Sequence, residues 1–233
     1  MEILPDYKKQ AAAEALKLIS ERQVIGLGAG SSVSHLADMI AEDKKLASSV
    51  ICTSSSFTTI NRLKKNALNV QPPDYFKSLD IYFDGCDQFD SELNALKSGG
   101  GIHTTEKILA SMAKEFVLIG DSAKMVDKLD AKYPLVVEIL PPALMSVMGK
   151  LTKQFPGAIL NLRNSSQKDG AIISDYGNYL LDVKFDTLPE LKDLNTVKMI
   201  PGVVDHSLFY KLATSAIIAG PNGINIIKPG HKN

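Results

Sequence analysis

An apolar run stops abruptly in Ile81-Tyr-Phe-Asp84-Gly-Cys-Asp87-Gln-Phe-Asp90, and three carboxylates follow within seven residues. Further on, the chain reads Lys97-Ser-Gly-Gly-Gly-Ile-His-Thr-Thr-Glu106-Lys107, with three consecutive glycines between a lysine and a further carboxylate. Clustered aspartates at a strand end suit several chemistries. One is Mg²⁺ ligation, which takes one or two carboxylates with water and substrate phosphate. Another is hydrogen bonding to sugar hydroxyls with proton shuttling. A third is turn formation, because Asp-Gly is a common turn pair; this explains Asp84-Gly85 but does not call for Asp87. Asp90 reads as a helix or turn cap. Gly99 to Gly101 lose much chain entropy on folding, which makes sense where backbone wraps a ligand. Thr104 or Thr105 can N-cap the helix that follows, with Glu106 in its first turn. An isolated Glu there complements the helix dipole. Here Lys97 precedes the glycines and Asp84 and Asp87 end the previous strand, and a lysine beside carboxylates keeps some of them ionised.

A second candidate is Gly26-Leu-Gly28-Ala29-Gly30-Ser31-Ser32. Gly28 and Gly30 allow close backbone approach, and Ser31 and Ser32 offer hydroxyls and amides at a helix N-terminus, which favours anions. The spacing is neither GxGxxG nor GxxxxGK[ST], so a single phosphate fits better than a nucleotide. The plain alternative is a tight turn with a serine cap. Cys52-Thr-Ser-Ser-Ser-Phe-Thr-Thr59 is hydroxyl-rich and suits either a polyol or a capped helix start. Lys124, in Gly120-Asp-Ser-Ala-Lys124, adds a cation for a phosphate or for solvent. Lys8 and Lys9 read as a solvated helix start from which one lysine can reach a phosphate. His35 and His103 read as polar filler, His206 has no assigned role, and Cys52 and Cys86 read as small hydrophobes near the sheet.

These stretches need a scaffold. Apolar segments at 24–32, 50–56, 81–87 and 116–124 each end in small or polar residues. Helical spacing lies between them, at Val33, Leu36 and Ile40 and at Ile108, Leu109, Met112 and Ala113. An earlier helix spans residues 6–20. Strand alternating with helix implies an α/β fold with a parallel sheet and helices on both faces. Ligands in such sheets sit outside the carboxyl ends of the strands, where every loaded segment falls. From about 130 to 205 the pattern becomes a small α+β unit. It has a strand, a proline stop and a helix from Pro134, a hairpin over 171–185 turning at Tyr176-Gly177-Asn178, and a helix over roughly 188–198. Two short strands near 215–229 return to the main sheet, and the tail 229–233 reads as disordered.

Composition narrows the function. Of 233 residues 45% are hydrophobic and 22% charged, and 26 basic residues balance 26 acidic ones. That balance points away from nucleic acid or an anionic membrane as partner. No run approaches the roughly 18 apolar residues of a membrane span. The N-terminus lacks a basic region followed by an apolar core, so no secretory signal is expected. Two cysteines make neither a disulfide framework nor a zinc site, and a cytoplasmic protein with reduced thiols is expected.

Together, "GLGAGSS", "IYFDGCDQFD", "LKSGGGIHTTEKILA", "IGDSAKMVDKL", "YPLVVEILP", "GNYLLDV" and "PGVVDHSLF" resemble, in order and spacing, the type A ribose-5-phosphate isomerase family over nearly the whole chain. The resemblance implies a Rossmann-like parallel sheet with helices on both faces plus a smaller α+β domain. The first would take residues 1–130 and 206–233, the second 131–205. It implies metal-free, cofactor-free interconversion of ribose 5-phosphate and ribulose 5-phosphate, by a homodimer or homotetramer. By resemblance, Glu106 would carry the proton between C2 and C1 and Asp84 would assist ring opening. Asp87 would bind hydroxyls and Lys97 would stabilise the enediolate oxygen. Ser31, Ser32, Lys124 and Lys8 would hold the phosphate. Gly28, Ala29, Gly30, Gly85, Cys86, Ser98, Gly99 and Gly100 complete the implied substrate-binding set. The chain departs from the family where Ala29 replaces Thr, Gln88 replaces Glu and Ser98 replaces Gly. An isomerase for another sugar phosphate, a non-catalytic sugar-phosphate sensor and a metal-dependent phosphatase are the alternatives. The sensor would need a DNA-binding module, for which the first 20 residues leave no room.

Overall fold

The computed structural model describes residues 5–167 and 169–230. Down the chain, α1 (Tyr7–Leu16), β1 (Val24–Leu27), α2 (Ser31–Glu42), α3 (Lys44–Ala47), β2 (Ile51–Ser54) and α4 (Phe57–Lys65) come first. Then follow β3 (Leu79–Asp84), β4 (Gln88–Phe89), β5 (Ala95–Leu96), α5 (His103–Met112) and β6 (Ala113–Asp121). The segment after them holds β7 (Leu135–Ile139), α6 (Leu144–Gln154), β8 (Ile159–Leu162), β9 (Tyr179–Lys184) and α7 (Leu191–Asn195). The chain closes with β10 (Val203–His206), β11 (Leu208–Phe209), β12 (Ser215–Gly220) and β13 (Gly223–Ile227).

The main sheet has the order β13-β12-β6-β3-β1-β2 and is parallel except for the antiparallel edge strand β13. Its residues alternate between two apolar layers, as strand geometry requires. Ile25, Leu27, Ile81, Phe83, Val117 and Ile119 join α1 and α2 on one face. Tyr82, Phe116, Leu118 and Ile218 join Leu109 of α5 and Phe89 and Phe209 on the other. A second sheet, β10-β7-β9-β8, is antiparallel throughout. It buries Val137, Ile139, Leu181 and Val183 against α6, α7 and the turn after α7. A third, small sheet, β11-β5-β4, lies beside the glycine loop.

The four apolar segments and the two closing strands fall as the residue pattern predicts. The hydroxyl-rich stretch after β2 is a capped helix start: Ser56 Oγ accepts from Thr59 N–H at 3.2 Å. Asp90 is a turn cap, accepting from the N–H groups of Glu92 and Asn94. Other details differ. Neither threonine caps α5; Ile102 occupies the cap position. Thr104 donates instead to the buried Glu138, and Thr105 meets the Tyr176 hydroxyl. Ala113 is the C-cap of α5, its N–H donating to the Leu109 carbonyl, and at the same time opens β6. The expected 171–185 hairpin has a first arm made only of isolated bridges, Asn164 to Ala171 and Ile173 to Tyr179. Its turn is at the expected place, with Gly177 at φ 80°. The strand that pairs with β9 on its side away from β7 is β8, whose residues are half-buried or exposed and so carry a weak apolar signal. The helix expected from 188 begins at Leu191, because Pro189 disfavours helical backbone at Leu188. Of the tail 229–233, the last three residues lie outside the described residues.

Gly202 is where the second sheet's packing is least forgiving. Its φ is +100°, and an added Cβ would lie 2.2 Å from the Ala143 Cβ. Gly202→Ala is expected to destabilise the protein by about 1–3 kcal/mol, read as a lower urea midpoint with an unchanged m value.

Candidate active site

The site begins with one carboxylate that the main sheet buries completely. Asp84 ends β3, and its side chain is fully buried. Every direction around it holds a donor. Oδ1 accepts from the N–H of Gly85 at 2.8 Å and of Ala29 at 3.1 Å. Oδ2 accepts from the Tyr82 hydroxyl at 2.5 Å and meets Lys97 Nζ at 2.9 Å. Such saturation is what a buried carboxylate requires. It also explains Gly28: a Cβ there would lie 2.1 Å from the Asp84 carboxyl carbon. That glycine makes room for the aspartate rather than for a ligand.

Lys97 follows β5, and only 7% of its side chain is exposed. Its ammonium also reaches Glu106 Oε1 at 3.3 Å and donates to the Gly85 carbonyl. Glu106 is delivered by the first turn of α5 and is itself buried. One cation thus stands between two carboxylates, and the shorter contact goes to Asp84. Burial alone would lower the Lys97 pKa, but Asp84 and Glu106 beside it raise it on balance. Glu106 moves the other way from an exposed acid. Burial first, and then the Asp84 charge, push its pKa up to about 8, against the pull of Lys97. A carboxyl poised near neutrality is suited to take and return a proton.

These groups open onto a cavity of about 240 Å³. That is below the roughly 300–1,000 Å³ of sites for drug-sized ligands, so it suits a small metabolite. Of the candidate residues, Lys8, Ala29, Gly30, Ser31, Ser32, Gly85, Cys86, Asp87, Lys97, Gly99, Gly100, Glu106 and Lys124 line it. Gly30, at φ 100°, precedes the first turn of α2, whose N–H groups suit an anion. The Cys86 thiol is pushed up to about 12 by burial, so it is a neutral wall.

Three candidates stand behind the wall: Gly28 and Asp84, as described, and Ser98. The Ser98 N–H donates to Asp87 Oδ2 at 2.6 Å and its hydroxyl to the Pro134 carbonyl at 2.6 Å. Gln88 also faces away, exchanging hydrogen bonds with the Asp130 backbone. Ile119, Gly120 and Asp121 line the cavity without having been singled out. The signal for them was present, since they end β6 and strand carboxyl ends bound such crevices. Among the described residues, no group of three or more His, Cys, Asp or Glu side chains is placed to hold a metal ion.

Comparison with known proteins agrees with this geometry. Residues 51–223 match the family described as ribose 5-phosphate isomerase A (phosphoriboisomerase A). A ribose-5-phosphate isomerase A of Thermosynechococcus vestitus is 34% identical over 91% of this chain and 90% of its own. The Homo sapiens ribose-5-phosphate isomerase is 35% identical over 89% of this chain and 68% of its own. The structure of ribose 5-phosphate isomerase A from Methanocaldococcus jannaschii superposes with a TM-score of 0.85 at 31% identity, over 95% of this chain and 97% of that one. A D-ribose-5-phosphate isomerase in complex with phospho-erythronic acid gives 0.87 at 30% identity, over the same shares of the two chains. With the family match over residues 51–223 and relatives of 34–35% identity beside this geometry, the chain belongs to the ribose 5-phosphate isomerase A family.

Proposed function

We propose that this protein interconverts D-ribose 5-phosphate and D-ribulose 5-phosphate through an enediolate, as an aldose–ketose isomerase of the non-oxidative pentose phosphate pathway. The observation that carries this is the buried Lys97 ammonium, 2.9 Å from Asp84 and 3.3 Å from Glu106, in a cavity that also presents Ser31, Ser32, Lys8 and Lys124. Glu106 takes the C2 proton of the open-chain aldose and returns it at C1. The charge that develops on the sugar oxygen is met by Lys97 and Asp87 accepts hydrogen bonds from the hydroxyls, while Asp84, behind the wall, acts in ring opening through the Lys97 ammonium that it holds at 2.9 Å. A base and an electrophile held together are what a proton shift between adjacent carbons requires. The phosphate lies against Ser31, Ser32, Lys8 and Lys124. Of the family departures Ala29 lines the cavity, whereas the Gln88 and Ser98 side chains bond to backbone at Asp130 and Pro134.

The reading includes a catalytic domain of residues 1–130 and 206–233 and a smaller domain of 131–205. What supports the division is that the second sheet draws its strands from residues 135–206 and buries its own apolar cluster. It also includes a cytoplasmic protein assembled as a dimer or tetramer. Among the described residues, no helix is long and apolar enough to cross a membrane.

The test is conversion of ribose 5-phosphate to ribulose 5-phosphate by purified protein with a chelator present, where sustained turnover is expected. Glu106→Gln is expected to lower kcat by roughly 10²–10⁴-fold, the worth of a positioned acid–base group; near-unchanged turnover removes Glu106 from this role. Lys124→Ala is expected chiefly to raise KM, and a fall in kcat at constant KM contradicts a phosphate anchor. A base is active when ionised, so the raised Glu106 pKa places the acid limb of kcat/KM near pH 8, with activity lost as pH falls below it. That limb stands apart from the second ionisation of a phosphate at about 6, and a single limb below pH 6 contradicts it.

A further inference from the structure

One side chain beside the second sheet's edge lies directly on the glycine loop. Arg163, the residue after β8, lays its guanidinium on the glycine loop. Nη2 donates to the Ser98 carbonyl at 2.9 Å and Nη1 to the Gly99 carbonyl at 3.0 Å. The same guanidinium is gripped from behind by Asp182 of β9. Nη2 reaches Asp182 Oδ1 at 2.6 Å, and Nε reaches Oδ1 at 3.1 Å and Oδ2 at 3.3 Å. The Arg163 backbone is fixed as well, since its N–H donates to the Leu180 carbonyl and its own carbonyl accepts from Ile172. Only 17% and 20% of the two side chains are exposed. A planar fork held this way is pre-organised in a manner no lysine reproduces.

The consequence lies in the two peptides that Arg163 grips. No peptide among the described residues is cis, and in a trans peptide the N–H points opposite the C=O. With the Ser98 and Gly99 carbonyls turned to Arg163, the N–H groups of Gly99 and Gly100 face the other way. Both glycines line the cavity beside Lys97 and Glu106. Within the described residues neither N–H has an acceptor. Drawing the carbonyls onto a cation also polarises those N–H groups and strengthens them as donors. The loop is further pinned at Gly101, at φ +70°, where a Cβ would lie 2.6 Å from Leu180 Cδ1.

We propose that Arg163, oriented by Asp182, is a positioning residue for the isomerisation. It fixes the peptides after Lys97 so that the Gly99 and Gly100 N–H groups are aimed at the oxyanion that develops on the substrate. The role rests on the function proposed above. A purely structural clamp between the sheets would affect folding, whereas this role affects the chemical step.

The test uses Arg163→Ala and Arg163→Lys in the full chain, with kcat, KM and melting temperature measured for each. Arg163→Ala is expected to lose on the order of 10²-fold in kcat, the scale of a misaimed oxyanion donor, while KM stays within a factor of about three, since the phosphate contacts are untouched. Added guanidinium chloride, at concentrations below those that unfold the protein, is expected to restore part of the lost kcat, whereas equal sodium chloride is not. Arg163→Lys keeps the charge, loses the fork and is expected to fall between; it serves if the alanine variant does not fold. Calorimetric binding of phospho-erythronic acid, whose carboxylate spreads negative charge over two oxygens as an enediolate does, is expected to weaken in Arg163→Lys, while binding of inorganic phosphate does not change. This arm reads Arg163 even if wild-type protein fails to turn over ribose 5-phosphate, which would sink the proposed function instead. Wild-type kcat and wild-type binding of phospho-erythronic acid in Arg163→Lys overturn the proposal. So does a loss of kcat in the folded alanine variant that guanidinium does not repair.

Discussion

The structure is organised around the need to bury a carboxylate without leaving it unpaired. Asp84 is out of reach of water at the centre of the parallel sheet, and a lone charge there would be prohibitive. The chain answers with the Tyr82 hydroxyl from its own strand, the N–H groups of Gly85 and Ala29, and the Lys97 ammonium. Each answer constrains another element. Ala29 can donate only if β1 ends beside β3, and Gly28 must lack a side chain for the carboxylate to fit. Lys97 can arrive only if the loop returns from the small sheet. Removing one partner of such a pair leaves an uncompensated buried charge, at a cost on the order of 3–5 kcal/mol. Positions 28, 29, 82, 84 and 97 therefore form one unit, though the chain separates them by up to 69 residues.

That unit explains why Glu106 differs chemically from Asp84 while touching the same lysine. The ammonium is largely committed to Asp84 at the shorter distance. Glu106 thus has almost no water and a like charge nearby, and these raise its pKa further than the shared Lys97 cation lowers it. The two carboxylates on one cation differ in setting: Asp84 is held by four donors behind the wall, while Glu106 lines the cavity. One remains an anchor of the field, and the other can exchange a proton near neutral pH. The geometry that stabilises the fold is also what raises the proton affinity of Glu106.

Much of this was legible in the residues, and the boundary has a physical cause. Apolar runs ending in Gly, Ser or Asp mark strands of a parallel sheet and their carboxyl ends, so Asp84, Ser31, Ser32 and Lys124 fell where the topology puts a ligand. Local signals mislead when a distant partner outcompetes them. Thr104 has the composition of a helix cap, yet Glu138, 34 residues away, takes its hydroxyl. Gly28 looks like a ligand-facing glycine, yet its neighbour is Asp84, 56 positions on. Arg163 carries no motif at all. Its relevance arises from contacts 64 and 65 residues back along the chain, and the edge strand that it follows has only a faint half-buried pattern.

The second sheet resolves an apparent contradiction in the glycine loop. Three consecutive glycines maximise the entropy lost on ordering, yet this loop lines the cavity between Lys97 and Glu106, where a fixed geometry requires order to within a fraction of an ångström. Side chains within the loop cannot supply that order. The second sheet supplies it from outside, at both ends of the segment. Arg163 and Asp182 hold the carbonyls of Ser98 and Gly99, and Leu180 fills the space a Gly101 side chain would occupy. Beyond the loop, Glu138 of β7 accepts from Thr104 and is itself satisfied by Ser174 and Asn178. That contact fixes the first turn of α5, and with it Glu106. The glycines give the backbone access to the cavity, and the antiparallel sheet fixes the conformation that access requires. A parallel sheet alone would place Asp84 and the serine loop, but it would leave Lys97 and Glu106 joined by an unsupported tether.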